Sequence, residues 1–115
     1  MIAIIDYDAG NLRSVEKALD ALGEQPVISR DEKTILSADR VILPGVGSFG
    51  DAMGKLRQYG LVDVIHRVTD QGTPFLGICL GLQLLFERSG ESEGVPGLGI
   101  LPGAVSYTHL TLPTK

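Results

Sequence analysis

Three short apolar runs, each ending at once in a polar or glycine-bearing loop, constrain this chain more than any other feature. Ile2-Ala-Ile-Ile5 runs into Asp6, Val41-Ile-Leu43 into Pro44-Gly-Val-Gly-Ser-Phe-Gly50, and Phe75-Leu-Gly-Ile78 into Cys79. Runs of this length, rich in β-branched residues and lacking polar alternation, mark strands buried on both faces. Helical stripes lie between them. Leu12, Val15, Ala18, Leu19 and Leu22 recur at helical spacing after Asn11, a cap residue, and Gly23 supplies the stop. Further helices are predicted over 51–59 and 61–71, separated by Gly60, and over 80–86. Residues 26–28 read as another strand, and 98–101 as the start of a fifth. This alternation predicts an α/β fold, a mostly parallel sheet with helices on both faces. Ligands in such sheets bind beyond the carboxyl ends of the strands, so the loops after Asp6, Leu43 and Ile78 are the ones to inspect.

The bulk numbers narrow the partners. A chain of 115 residues allows one compact domain. Net charge is −4 with the signs interspersed, which supplies neither the basic face of a nucleic-acid binder nor a polybasic membrane anchor. No apolar run is long enough to span a bilayer. Ile2 to Ile5 lacks a basic leader and a cleavage site, so it reads as a strand rather than a signal peptide. A single cysteine excludes an internal disulfide and suits the reducing cytoplasm. With one cysteine and two histidines no metal-ligand spacing is visible, and no cofactor is expected.

Gly77-Ile-Cys79-Leu-Gly81 has the form of a nucleophile elbow with cysteine in place of serine. A sharp strand-to-helix turn strains the central residue and lifts its thiol to the top of the sheet, where a helix N-terminus favours thiolate over thiol. The N–H of Leu80 then points toward a developing oxyanion. The competing reading is a small buried core cysteine, the commonest fate of a free thiol. Pro44-Gly-Val-Gly47 supplies a second loop at the same edge, whose backbone N–H groups can complete an oxyanion hole. The same glycines, Gly45, Gly47 and Gly50, also match a dinucleotide fingerprint between strand and helix. That alternative needs an acid on the ribose. Asp63 has the spacing but falls within a helix, and Asp51 sits where a pyrophosphate wants an uncharged helix start. His66, on the polar side of its helix, reads as a solvated surface histidine, leaving Cys79 without a base.

The string from Val105 to Thr114 resembles a translated sequencing adapter, so residues 105–115 are read as a non-native tail and His109 is assigned no chemistry. Residues 1–104 then form the N-terminal part of a domain expected to be cut near Ala104.

Taken together, Tyr7-Asp-Ala-Gly-Asn-Leu-Arg-Ser-Val15, Pro44-Gly-Val-Gly-Ser-Phe-Gly50 and Gly77-Ile-Cys-Leu-Gly-Leu-Gln-Leu-Leu-Phe-Glu87 resemble a known family. They are similar to the glutaminase subunits of imidazole glycerol phosphate synthase, class I glutamine amidotransferases of histidine biosynthesis. Leu98-Gly-Ile-Leu-Pro-Gly103 matches the segment that follows, so the resemblance covers residues 1–104. It implies a flavodoxin-like fold, incomplete here. It implies that Cys79 attacks the side-chain carboxamide of glutamine, giving a thioester and ammonia, with water then releasing glutamate. By the same resemblance Gly45, Gln83 and Glu91 hold the substrate, and Val46, Gly47 and Leu80 form the oxyanion hole. Tyr7, Gly10 and Asn11 match a segment facing the partner, a TIM-barrel cyclase that receives the ammonia within a heterodimer. The family's histidine and glutamate lie further along, so the chain by itself is expected to be inactive. The remaining alternative is a non-catalytic module that docks on the cyclase.

Overall fold

The computed structural model describes residues 1–92 and 94–105. Four strands, β1 (Ile2–Ile5), β2 (Pro26–Ser29), β3 (Arg40–Leu43) and β4 (Phe75–Gly77), form one parallel sheet in the order β2-β1-β3-β4. Ile2 pairs with Pro26 on one side and Arg40 on the other, and Val41 pairs with Phe75. Side chains alternate across the sheet as a pleated strand requires. Ile2, Ile4 and Ile42 point to one face, and Ala3, Ile5, Val41 and Leu43 to the other.

The two faces are covered unequally. Helix α1 (Leu12–Ala21) lays Val15, with Leu12 and Leu19, over the first face. The second face carries α2 (Glu32–Ser37), α3 (Phe49–Gln58), α4 (Leu61–Asp70) and α5 (Leu80–Leu84), whose apolar side chains join a single core around Phe49, Leu56, Ile65 and Leu84. Local chemistry sets most of the ends. Asp31 caps α2 by accepting the Thr34 N–H at 3.0 Å, and Ser48 caps α3 by accepting the Asp51 N–H at 3.2 Å. Gly23, at φ +85°, closes α1, where the Gly23 and Glu24 N–H groups return to the Asp20 and Leu19 carbonyls, both at 3.0 Å.

Three expectations need correction. Asn11 stands at the N-cap of α1, yet its side chain makes no capping hydrogen bond. Helix α2 is an element that periodicity does not predict, because six residues carry too little of it; the Asp31 cap is the available signal. Residues 98–101 are not a strand. Their amides close the end of α5 instead: Leu98 N–H donates to the Leu84 carbonyl at 2.8 Å, and Ile100 and Leu101 N–H donate to that of Leu85 at 2.9 Å. The ends of a short helix offered orphan carbonyls, and they won the competition for those donors. The chain then returns as a two-stranded parallel pair, β5 (Arg88–Ser89) with β6 (Ala104–Val105). Ala104 and Val105 thus lie within one strand, while His109 and the rest of the tail lie outside the described residues.

Candidate active site

Because β2 lies on one side of β1 and β3 on the other, the chain reverses its direction of travel between β1 and β3. In open parallel sheets that reversal leaves a crevice at the carboxyl ends. The loops after β1, β3 and β4 all emerge there.

Cys79 occupies the turn from β4 into α5, is exposed, and has φ +56° and ψ −124°. For a residue with a side chain this is a strained conformation, held by the surrounding structure. Two glycines make the hold possible. A Cβ on Gly77 would lie 2.7 Å from Leu82 Cα, and one on Gly81 would enter the Leu43 carbonyl. The ends of β3 and β4 are stitched to the elbow as well: Ile78 N–H donates to the Leu43 carbonyl at 3.0 Å, and Gly81 N–H to that of Ile78 at 2.9 Å. The elbow cannot relax without moving the sheet. The thiol therefore faces an open groove rather than the core.

That groove, about 470 Å³, brings Cys79 together with Val46 and Asn11, two other residues singled out from sequence. Ile42, Leu76 and Ile78 make its apolar floor. The Asn11 side-chain oxygen is buried and has no hydrogen-bond partner among the described residues.

The glycine loop 44–47 reaches the elbow, but in an orientation that corrects one expectation. Leu80 N–H, assigned to the oxyanion, donates to the Gly45 carbonyl at 3.1 Å. A carbonyl oxygen already occupies that donor. Tyr7 corrects another. It is 3 % exposed, and its hydroxyl donates to the Pro44 carbonyl at 2.5 Å, so it braces the loop from inside and presents no surface to a partner. Burial pushes its phenol well above the ordinary tyrosine range. Gly10 is exposed beside it and Asn11 half-buried. Gly47 has φ +96°, which explains glycine at that position.

Gln83 lies one helical turn beyond Cys79 and is half-buried. Glu91 sits elsewhere than its assigned role alone suggests: its carboxylate accepts the Phe49 N–H at 3.3 Å, at the start of α3. Ser92 takes the Gly50 N–H at 3.0 Å and Ser48 the Asp51 N–H. The amides at the start of α3 thus meet side chains of this chain, an acid among them, which counts against the dinucleotide alternative. Asp63 is exposed on α4 and pairs with Arg67 at 3.7 Å, far from a strand end. His66 is half-buried on the same helix, which packs on α2 and α3.

Sequence reasoning missed a charged cluster on the same rim. Asp8, at φ +69°, pairs with Arg30 at 3.0 Å and Lys55 at 3.4 Å and accepts the Tyr59 hydroxyl. The Arg30 guanidinium lies 3.9 Å over the Tyr59 ring. The Tyr59 hydroxyl, then the Arg30 guanidinium, hold the Asp8 carboxyl below the usual carboxylate range. No motif joins residues 8, 30, 55 and 59; only folding does.

Fold and site together define an α/β domain that presents a thiol on a strand-to-helix turn, beside a glycine loop. Residues 3–109 match the model of the glutamine amidotransferase class-I family. The chain belongs to that family. It is 56% identical over 105 residues to the imidazole glycerol phosphate synthase subunit HisH of Bacillus cereus (strain G9842), covering 91% of this chain and 50% of that protein. It is likewise 56% identical over 104 residues to the subunit HisH of Synechococcus elongatus, covering 90% of this chain and 48% of that protein. The chain thus spans about half the length of the curated relatives it matches. Among solved structures, a glutamine amidotransferase superposes with a TM-score of 0.78 at 23% identity, covering 92% of this chain and 56% of that one, a likeness of fold. Among the described residues no helix is long and apolar enough to cross a membrane.

Proposed function

We propose that this chain is the nucleophile-bearing half of a glutaminase, the ammonia-producing subunit of a heterodimeric, cytoplasmic imidazole glycerol phosphate synthase. The observation that carries the reading is Cys79, exposed at a strained strand-to-helix turn with the loop 44–47 against it. The relatives' names supply the acceptor pathway, and nothing in the geometry alone would.

In this reading the Cys79 sulfur attacks the carboxamide carbon of glutamine, and the carbonyl oxygen becomes an oxyanion. Collapse expels ammonia and leaves a γ-glutamyl thioester; water then attacks, releasing glutamate and restoring the thiol. The thiol proton must reach the leaving nitrogen through a base. His66 is set on the outer helix α4, so that role goes to the family's own histidine and glutamate, assigned to the half of the relatives that the match does not cover.

The oxyanion needs donors. With the Gly45 carbonyl on the Leu80 N–H the hole is closed, and turnover requires the 45–46 peptide to rotate. Rotation frees Leu80 N–H and turns the Val46 N–H inward, with Gly47 as the hinge. Tyr7, holding the Pro44 carbonyl, anchors the fixed end. Gly45 and Gln83, with Glu91, then hold glutamine, while exposed Gly10 and half-buried Asn11 face a TIM-barrel cyclase across the same edge. A partner that engages this edge is well placed to bias the peptide rotation.

A direct test joins this chain to the second half of the Bacillus cereus relative, adds the cyclase, and treats the complex with a glutamine-mimicking diazoketone. Label is expected on Cys79 alone and is expected to vanish in Cys79→Ser. Label that persists in that variant overturns the reading, and cyclase binding without labelling favours a docking module.

A further inference from the structure

We infer that Ser92 is a positioning residue for the amino end of the substrate: its hydroxyl fixes the turn carrying Glu91 to the start of α3, uniting acid and glycine loop in one body. This rests on the glutaminase reading above, in which Glu91 helps hold glutamine, with its carboxylate taken to pair with the α-ammonium.

Glu91 by itself is poorly restrained. It is exposed, and one carboxylate oxygen accepts the Phe49 N–H at a long 3.3 Å. A single long hydrogen bond does not hold a flexible, solvated side chain against its rotamer entropy. The backbone around it is held much better. On one side, the Ser89 hydroxyl, on a residue only 3 % exposed, accepts the Glu91 N–H at 3.2 Å. On the other, the Ser92 hydroxyl accepts the Gly50 N–H at 3.0 Å, while the Ser92 N–H returns to the Ser89 carbonyl at 3.3 Å. The turn is thus closed on itself and moored to α3 through the Ser92 hydroxyl.

Position 50 is built for that mooring. A Cβ there would stand 3.2 Å from the Ser92 hydroxyl, tighter than ordinary contact, so glycine lets the turn seat on the helix. Phe49 and Gly50 directly follow the loop 44–47 and Ser48. In this reading the acid's second oxygen meets the ammonium, and the start of α3 fixes its place relative to the glycine loop. Of the two hydrogen bonds from Glu91 and Ser92 to α3, that of Ser92 is the shorter, and without it the longer Glu91 contact is left.

The test reads alkylation of Cys79 by iodoacetamide, and its protection by L-glutamine or by glutaramate, the analogue lacking the α-amino group. In the parent chain glutamine is expected to protect at lower concentration than glutaramate. Ser92→Ala is expected to raise the glutamine concentration needed roughly fivefold, the scale of one lost hydrogen bond, leaving glutaramate unaltered. Ser92→Thr should restore the parent preference, and Gly50→Ala should mimic Ser92→Ala. A merely structural loss would weaken both ligands together. An unaltered preference in Ser92→Ala overturns the mooring while the site reading stands. Absence of any preference in the parent, or its survival in Glu91→Gln, overturns the reading of Glu91 and the inference with it.

Discussion

One face of the sheet buries Ala3, Ile5, Val41 and Leu43 under four helices, whereas the other, among the described residues, offers Ile2, Ile4 and Ile42 to α1 alone. On that sparser face Leu76 is 56 % exposed, and an apolar trough runs past Leu19, Ile42 and Leu76 toward Cys79. The strands are equally apolar on both sides, so composition does not make the difference. Helix placement does. The crowded face is a packed core in which each side chain has fixed neighbours, while the sparse face leaves an apolar trough beside the thiol.

The contrast can be broken most severely at Phe49. Phe49→Ala on the crowded face should cost about 3–5 kcal/mol, whereas Leu76→Ala on the sparse face should stay within about 0.5 kcal/mol. Denaturant midpoints of the two variants measure this, and equal losses would show that the faces pack alike. A smaller effect of opposite sign belongs to the seam between them. Cys79→Gly releases the strained backbone and should raise stability by about 1 kcal/mol, with Cys79→Ala giving no gain, while both remove the nucleophile. A Cys79→Gly midpoint at or below the parent's would show that the turn stores no strain.

The smallest effect lies on the rim. Asp8 is held below the usual carboxylate range, by the Tyr59 hydroxyl first and the Arg30 guanidinium next. Its folded-state pKa is depressed, so its stabilisation is present above the unfolded value and is lost as pH falls through the folded one. Asp8→Asn should therefore flatten the acid limb of the stability profile below about pH 4, with little change near neutrality. A parallel pair of acid limbs would show that the cluster contributes nothing to folding.

Much of the fold was legible because its signals are local. Apolar runs gave β1, β3 and β4, stripes gave α1, α3 and α4, and Gly23 and Gly60 marked boundaries they do occupy. Helix α2 was too short for periodicity, and 98–101 looked like a strand because Leu and Ile read alike in a strand and in a helix-closing loop. The elbow was also legible, since Gly77 and Gly81 are needed by the turn itself. The inward turn of Tyr7, the carbonyl on Leu80 N–H and the contact between Glu91 and α3 were not. Each joins residues 35 or more positions apart.

The sequence by itself determined the parallel α/β plan, the position of the thiol and the glycines that allow its turn, because dihedral limits and apolar spacing act within a few residues. Only the tertiary structure decided which face of the sheet the described helices crowd, that the Leu80 N–H meets the Gly45 carbonyl, and that Ser92 and Glu91 rest on α3. Those outcomes depend on which distant polar groups find one another as the loops pack, and a hydrogen bond across the fold leaves no periodic trace in the chain.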